Sequence, residues 1–164
     1  MTASAKVQFS ESSMKRFKET VAKYEVPKSA LLPTLWIAQE EFGYLTPPVL
    51  DYVAQLLEIP ANHVYDTVSF YFMFKKKDWG KHCIQVCNNI TCSMMGSEEI
   101  IHTVETELGI KVNDVTADKQ MSLQAVQCLG ACDVAPVLQV NEDYFENVTP
   151  EKMKKIISDL RGAK

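Results

Sequence analysis

No apolar run in this 164-residue chain reaches the roughly 20 residues that a helix needs to cross a bilayer. The opening stretch MTASAKVQFSESSMK has no apolar core and no Arg-rich amphipathic pattern, so neither a secretory signal nor an organellar transit peptide is expected. A surplus of positive charge is lacking too: 17 Lys and Arg stand against 21 Asp and Glu, a net charge of −4. Binding to phosphate backbones or anionic lipid requires clustered cations. The longest basic run, Lys75-Lys76-Lys77, is followed at once by Asp78. The stretch LEIPANHVYDTVSFY has the outline of a helix-turn-helix, but its second half offers Asn62, His63 and Asp66 with no Lys or Arg. Nucleic acid is therefore excluded as the main partner, and so is direct membrane insertion. Also missing are a G-x-G-x-x-G loop, a phosphate-binding P-loop and a nucleophile–base pair. The three histidines, His63, His82 and His102, are scattered. No nucleotide site and no independent catalytic site are expected in this chain. The expected location is the cytoplasm.

What is present is enough apolar material for a packed core, 46% of all residues, arranged in two patterns. Residues 1–9 have no periodicity and read as a flexible N-terminus. From residue 10 the apolar spacing is helical. Ser10 or Ser12 caps a first helix with Met14, Phe17, Val21 and Tyr24 on one face, closed by Pro27. Ser29 caps a second, with Leu31, Leu35, Ile37, Ala38 and Phe42 inward and Gly43 at its end. Thr46-Pro47 starts a third, with Val49, Tyr52, Val53, Leu56 and Leu57, that stops at Pro60. A fourth runs from Ala61 to Phe72, with Val64, Val68, Tyr71 and Phe72 inward. The aromatic run Phe70, Tyr71, Phe72 and Phe74 reads mainly as core, with part of it free to dock a partner. Residues 10–76 thus form a helical bundle, and KKKDWG marks a boundary.

Over 80–164 strands alternate with helices. His82–Val86 is a strand, and Gly96-Ser97 opens a helix carrying Ile100, Ile101, Val104 and Leu108. Met121–Gln127 is a second strand. Val137–Val140 and Tyr144–Val148 form a hairpin around Asn141-Glu142-Asp143. Thr149-Pro150 starts a last helix with Met153, Ile156, Ile157 and Leu160, stopped by Gly162. The order β-α-β-β-β-α implies a thioredoxin-like α/β layer, and the whole chain is α+β.

Five cysteines remain. In a reducing compartment, paired cysteines bind metal or do redox work more often than they form structural disulfides. Cys87 and Cys92 form a C-x4-C pair, and Cys128 and Cys132 a C-x3-C pair. Cys87 lies at the end of the first predicted strand, where a loop begins, with Cys92 within that loop. Cys128 and Cys132 follow the second strand, so if those strands are neighbours the four thiols converge at one sheet end. Cys83 lies inside the first strand, about 13 Å from Cys87 along an extended chain, and reads as a buried strand residue. Gly96, Gly130 and Ala131 are small enough to let backbone amides approach the sulfurs. Three readings stay open on spacing. A 2Fe–2S cluster takes four thiolates from rigid loops. A structural zinc site takes the same ligands, usually as C-x2-C pairs. A dithiol redox couple of Cys128 and Cys132 departs from the usual C-x-x-C. The spacing favours iron–sulfur.

VCNNITCSMMGSEEI together with CLGACDVAPVLQVNEDYFENVTPEKM resembles the E-subunit family of NADH-quinone oxidoreductases, the small iron–sulfur subunits of respiratory complex I. The likeness extends upstream through SALLPTLWIAQEEFGYLTPPVLDYVAQLLEIPANHVYDTVSFYFMF. It implies a helical N-terminal part, a thioredoxin-like ferredoxin domain and a 2Fe–2S cluster on Cys87, Cys92, Cys128 and Cys132. It further implies a tight complex with a larger flavoprotein that binds FMN and NADH, peripheral to the inner membrane. In that scheme NADH reduces the partner's flavin and this chain supplies a one-electron acceptor. Related subunits serve NAD-linked hydrogenases and formate dehydrogenases, and from outside this class a zinc-stabilised interaction module is the alternative. Gln124 and Gln127 stand where the family often has acidic residues, a change of charge that removes no ligand.

Overall fold

A computed structural model of the chain describes residues 7–162. Residues 1–6, most of the expected flexible N-terminus, lie outside the described residues. The chain divides into two compact units, 1–78 and 79–164, each with its own core.

The first unit is all helical: α1 Glu11–Val21, a 3-10 turn Pro27–Ala30, α2 Leu31–Phe42, α3 Pro47–Leu57 and α4 Ala61–Phe70. Ser10 caps α1, accepting from the Ser13 amide. α1 ends at Val21, short of Pro27, so Tyr24 lies beyond the helix and is exposed. Ser29 does not cap α2. The chain enters α2 through the 3-10 turn, and no side chain bonds its cap. Pro47 occupies the first position of α3, where its missing amide proton costs least. The core gathers Phe17, Leu35, Ala38, Leu50, Val53, Val64 and Val68, the apolar stripes of all four helices.

The aromatic run does not follow expectation. α4 stops at Phe70, because Tyr71 is already extended (φ −91°, ψ 108°). Phe70, Tyr71 and Phe72 are exposed, and only Phe74 is buried, its ring centroid 5.8 Å from that of Trp36. Once the helix ends, its period no longer decides which rings face inward.

The second unit is a four-stranded sheet in the order β2-β1-β3-β4. Its strands are β1 His82–Cys87, β2 Met121–Val126, β3 Leu138–Val140 and β4 Asp143–Phe145. β1 and β2 are parallel, and β3 and β4 form the antiparallel hairpin. A short helix, α5 Ile90–Met94, precedes α6 Ser97–Leu108, and α7 Pro150–Gly162 closes the unit with Gly162 inside the helix rather than after it. Ile84, Val86, Leu123, Leu138 and Val140 of the sheet pack with Ile100 and Val104 of α6 and Met153, Ile156 and Ile157 of α7. No helix among the described residues is long and apolar enough to cross a membrane.

Candidate metal centre

The parallel pairing of β1 and β2 builds the site. Cys87 stands opposite Val126, so both chains leave the sheet at the same end. The exit is fastened by the Asn88 amide on the Val126 carbonyl (2.9 Å) and the Cys87 amide on the Val137 carbonyl (3.2 Å). Asn89 then caps α5, its side-chain oxygen accepting from the Ile90 amide. Cys92 therefore sits on a helical turn, not in the irregular loop expected for it. Two residues past β2 comes Cys128, and Cys132 opens a 3-10 turn, Cys132–Val134. The Ala135–Pro136 bond is cis, and Val137 leads into β3.

These segments enclose a small apolar cluster of Cys87, Cys92, Val126, Leu129, Ala135 and Val137. Cys87 and Cys92 are buried, at 3% and 1% exposure, whereas Cys128 and Cys132 are exposed. Burial pushes the Cys92 thiol above its usual range. The nearby sulfurs of Cys87 and Cys132 push the same way, and the Val137 backbone pulls against them. Thiols are soft donors, and two segments that leave one sheet end each carry a pair of them beside an apolar cluster, a donor set of the kind a thiolate-ligated metal group takes. Cys87 and Cys132 each lie near enough to Cys92 to act on it, while Cys128 is engaged by its own loop. Its sulfur accepts from the Gly130 amide at 3.3 Å, and Gly130 has the left-handed φ of +76° that this turn requires. Among the described residues, no three His, Cys, Asp or Glu side chains are gathered tightly enough to hold a single metal ion.

Of the three small residues expected to let backbone amides approach the sulfurs, Gly130 brings its own amide to Cys128. The Gly96 amide is spent on the Ser93 carbonyl as α6 begins, and Ala131 contributes its carbonyl to Val134. Cys83 is buried in β1 at 4% exposure, its amide donating to the Asn141 side chain. Gln124 is no isolated charge change: its amide oxygen accepts from Gln85 at 2.8 Å inside the protein. Two residues escaped the sequence reading. Asn89 could have been found, since Asn before a helical run is a capping signal. Tyr144 could not: its hydroxyl donates to the Leu129 carbonyl at 3.0 Å, across a separation no local pattern reports.

Comparison with known proteins decides the family. A family model described as thioredoxin-like 2Fe-2S ferredoxin matches residues 17–161, and so spans both units. The chain belongs to the thioredoxin-like 2Fe-2S ferredoxin family. The E subunit of the NADH-quinone oxidoreductase of Rickettsia bellii is 43% identical over 94% of this chain and 94% of its own length. The E subunit numbered 2 of the Rhizobium meliloti enzyme of that name is 39% identical over 87% of this chain and 84% of its own. Among solved structures, an NAD+-reducing NiFe-hydrogenase in the air-oxidized state aligns with 80% of this ferredoxin-family chain. Its TM-score is 0.68 at 19% identity, which speaks to the fold alone. The aligned part is 23% of the hydrogenase chain. Membership of the 2Fe-2S ferredoxin family supports a 2Fe–2S cluster rather than zinc.

Proposed function

We propose that this chain is the small electron-transfer subunit of an NADH:quinone oxidoreductase, with a 2Fe–2S cluster on Cys87, Cys92, Cys128 and Cys132. The observation that carries the reading is the parallel β1–β2 pair, which delivers two cysteine-bearing segments to one sheet end in a chain of this family. When bound, the cluster supplies a one-electron acceptor and donor. The chain's own residues do the rest. Val126, Leu129 and Val137 shield the sulfurs of Cys87 and Cys92 from water, and the Gly130 amide takes part of the charge on the exposed Cys128. FMN and NADH belong to a larger flavoprotein partner in this proposal, and the chain is peripheral to the inner membrane through that complex. Exposed apolar side chains beside Cys92 support a protein partner: Ile90 at 75%, Met94 at 83% and Met95 at 59% exposure.

Freshly purified protein should contain iron and acid-labile sulfide in equal amounts and absorb in the visible. Cys87→Ser should lose that absorbance while keeping its far-ultraviolet helical signal. Zinc in place of iron, or no inorganic sulfide, would overturn the electron-carrier reading. An unchanged visible spectrum in Cys87→Ser would overturn the ligand assignment. Isolation from its source should bring a flavin-containing chain with it.

A further inference from the structure

Tyr144 lies on the three-residue edge strand β4, separated from β1 by β3. The register sets its face. Tyr144 pairs with Gln139, Gln139 with Gln85, and Gln85 with Gln124, in one row across the sheet. Side chains along a strand alternate, so this row shares its face with Cys87, two residues beyond Gln85. Phe145, next to Tyr144, points to the opposite face and packs against the core there. The Tyr144 ring is half exposed, at 49%, yet its hydroxyl is bonded to the carbonyl of Leu129 rather than left to water. Leu129 is buried among the cysteines and lies between Cys128 and Gly130. It is held twice, by its side chain in the apolar cluster and by its carbonyl on Tyr144.

We propose that Tyr144 is a positioning residue for the second cysteine segment. By holding the Leu129 carbonyl, it keeps the Gly130 amide aimed at Cys128 Sγ, and so sets the reduction potential and lifetime of the cluster. The inference rests on the ligand assignment above. The sign follows from charge. Reduction adds one negative charge, and a hydrogen bond to sulfur stabilises the more negative state. A loosened Gly130 amide therefore lowers the potential. The exposed half of the site, where Cys128 sits, also becomes easier for solvent to enter.

The test is Tyr144→Phe in the full chain, within its complex, since this keeps the ring and removes only the donor. In an EPR-monitored redox titration, the reduced-to-oxidised ratio at fixed poise should fall about threefold, about 28 mV at 59 mV per tenfold for one electron. The cluster's g values should shift, and its bleaching half-life in air should shorten about twofold. Replacing Tyr144 with 3-fluorotyrosine keeps the ring and strengthens the donor, so its potential should equal or exceed that of the natural protein. An unaltered potential and g values in Tyr144→Phe overturn the inference, even if the half-life drops, because that would be a packing effect alone. A 3-fluorotyrosine protein with a potential as low as the Phe variant's also overturns it. Natural protein without sulfide instead defeats the ligand assignment on which the inference stands.

Discussion

At the scale of single residues, the buried amide pair of Gln85 and Gln124 shows what position in a sheet does to a polar group. Both are only 9% exposed, and the 2.8 Å bond between them satisfies one group on each. A buried amide stripped of its partner carries its desolvation cost, whereas removing both partners together does not. Gln85→Leu should therefore destabilise the protein by about 1–3 kcal/mol. The double variant Gln85→Leu with Gln124→Leu should recover most of that, as read by urea unfolding followed by circular dichroism. Equal losses in the single and double variants would show that the bond contributes nothing net. This pair also marks a limit of reading one chain. Gln124 reads as a charge difference from relatives, because its partner lies on another strand and becomes visible only through register. The four cysteines proposed as ligands were legible for the opposite reason. Thiols in close pairs stand out locally, and the strand before each pair places them at a sheet end. Tyr144 carries no such local mark, since a tyrosine in a hairpin is ordinary.

Elements are held by contacts between their ends as much as by their faces. The start of α1 is tied to α2 through Glu41, whose carboxylate accepts from the Ser10 amide and from the hydroxyls of Ser10 and Ser13. Those donors favour the ionised form, the Ser13 hydroxyl most, and hold the Glu41 carboxyl below its usual range. The unfolded chain keeps the ordinary value, about 4.3. The tie therefore stabilises fully above that value and is lost as the pH falls through the lower, folded one. Glu41→Gln should melt at a lower temperature than the natural protein at pH 7. The gap should close as the pH is taken from about 5 toward 3. A gap that stays constant over that range would mean the charge of Glu41 plays no part. Which elements were legible follows from their length. The helices of the first unit and α6 and α7 run 10–13 residues, long enough to show an apolar stripe. α5 has five residues and makes barely one turn, so its segment reads as loop, and Cys92 with it. The outward aromatics at the end of α4 failed to register for a related reason. Phe70, Tyr71 and Phe72 stand where the helix gives way to extended chain, and the run Phe-Tyr-Phe carries no period of its own.

For the molecule as a whole, the division of the core decides what a mutation can reach. The first unit's cluster of buried residues runs from Phe9 to Phe74, and the two clusters of the second lie between Ile84 and Ile157. The chain's two tryptophans fall one on each side, Trp36 and Trp79, so each unit carries its own optical reporter. Leu35 is fully buried in the first cluster. Truncating it leaves a cavity that close-packed neighbours fill only in part, at a cost of about 2–5 kcal/mol. Leu35→Ala, in a Trp79→Phe background, should shift the Trp36 unfolding transition to lower denaturant by that amount. Its visible spectrum under native conditions should be unaltered, because Val126, Leu129 and Val137 around the cysteines keep all their neighbours in that cluster. Leu138, equally buried but in the sheet between β1 and β4, provides the converse. Leu138→Ala weakens the strand pairing that holds Val137 and Tyr144 in place, so its cluster should bleach faster while the Trp36 transition keeps its midpoint. Should Leu35→Ala strip the visible absorbance at room temperature, the cysteine site would depend on the helical core for its assembly.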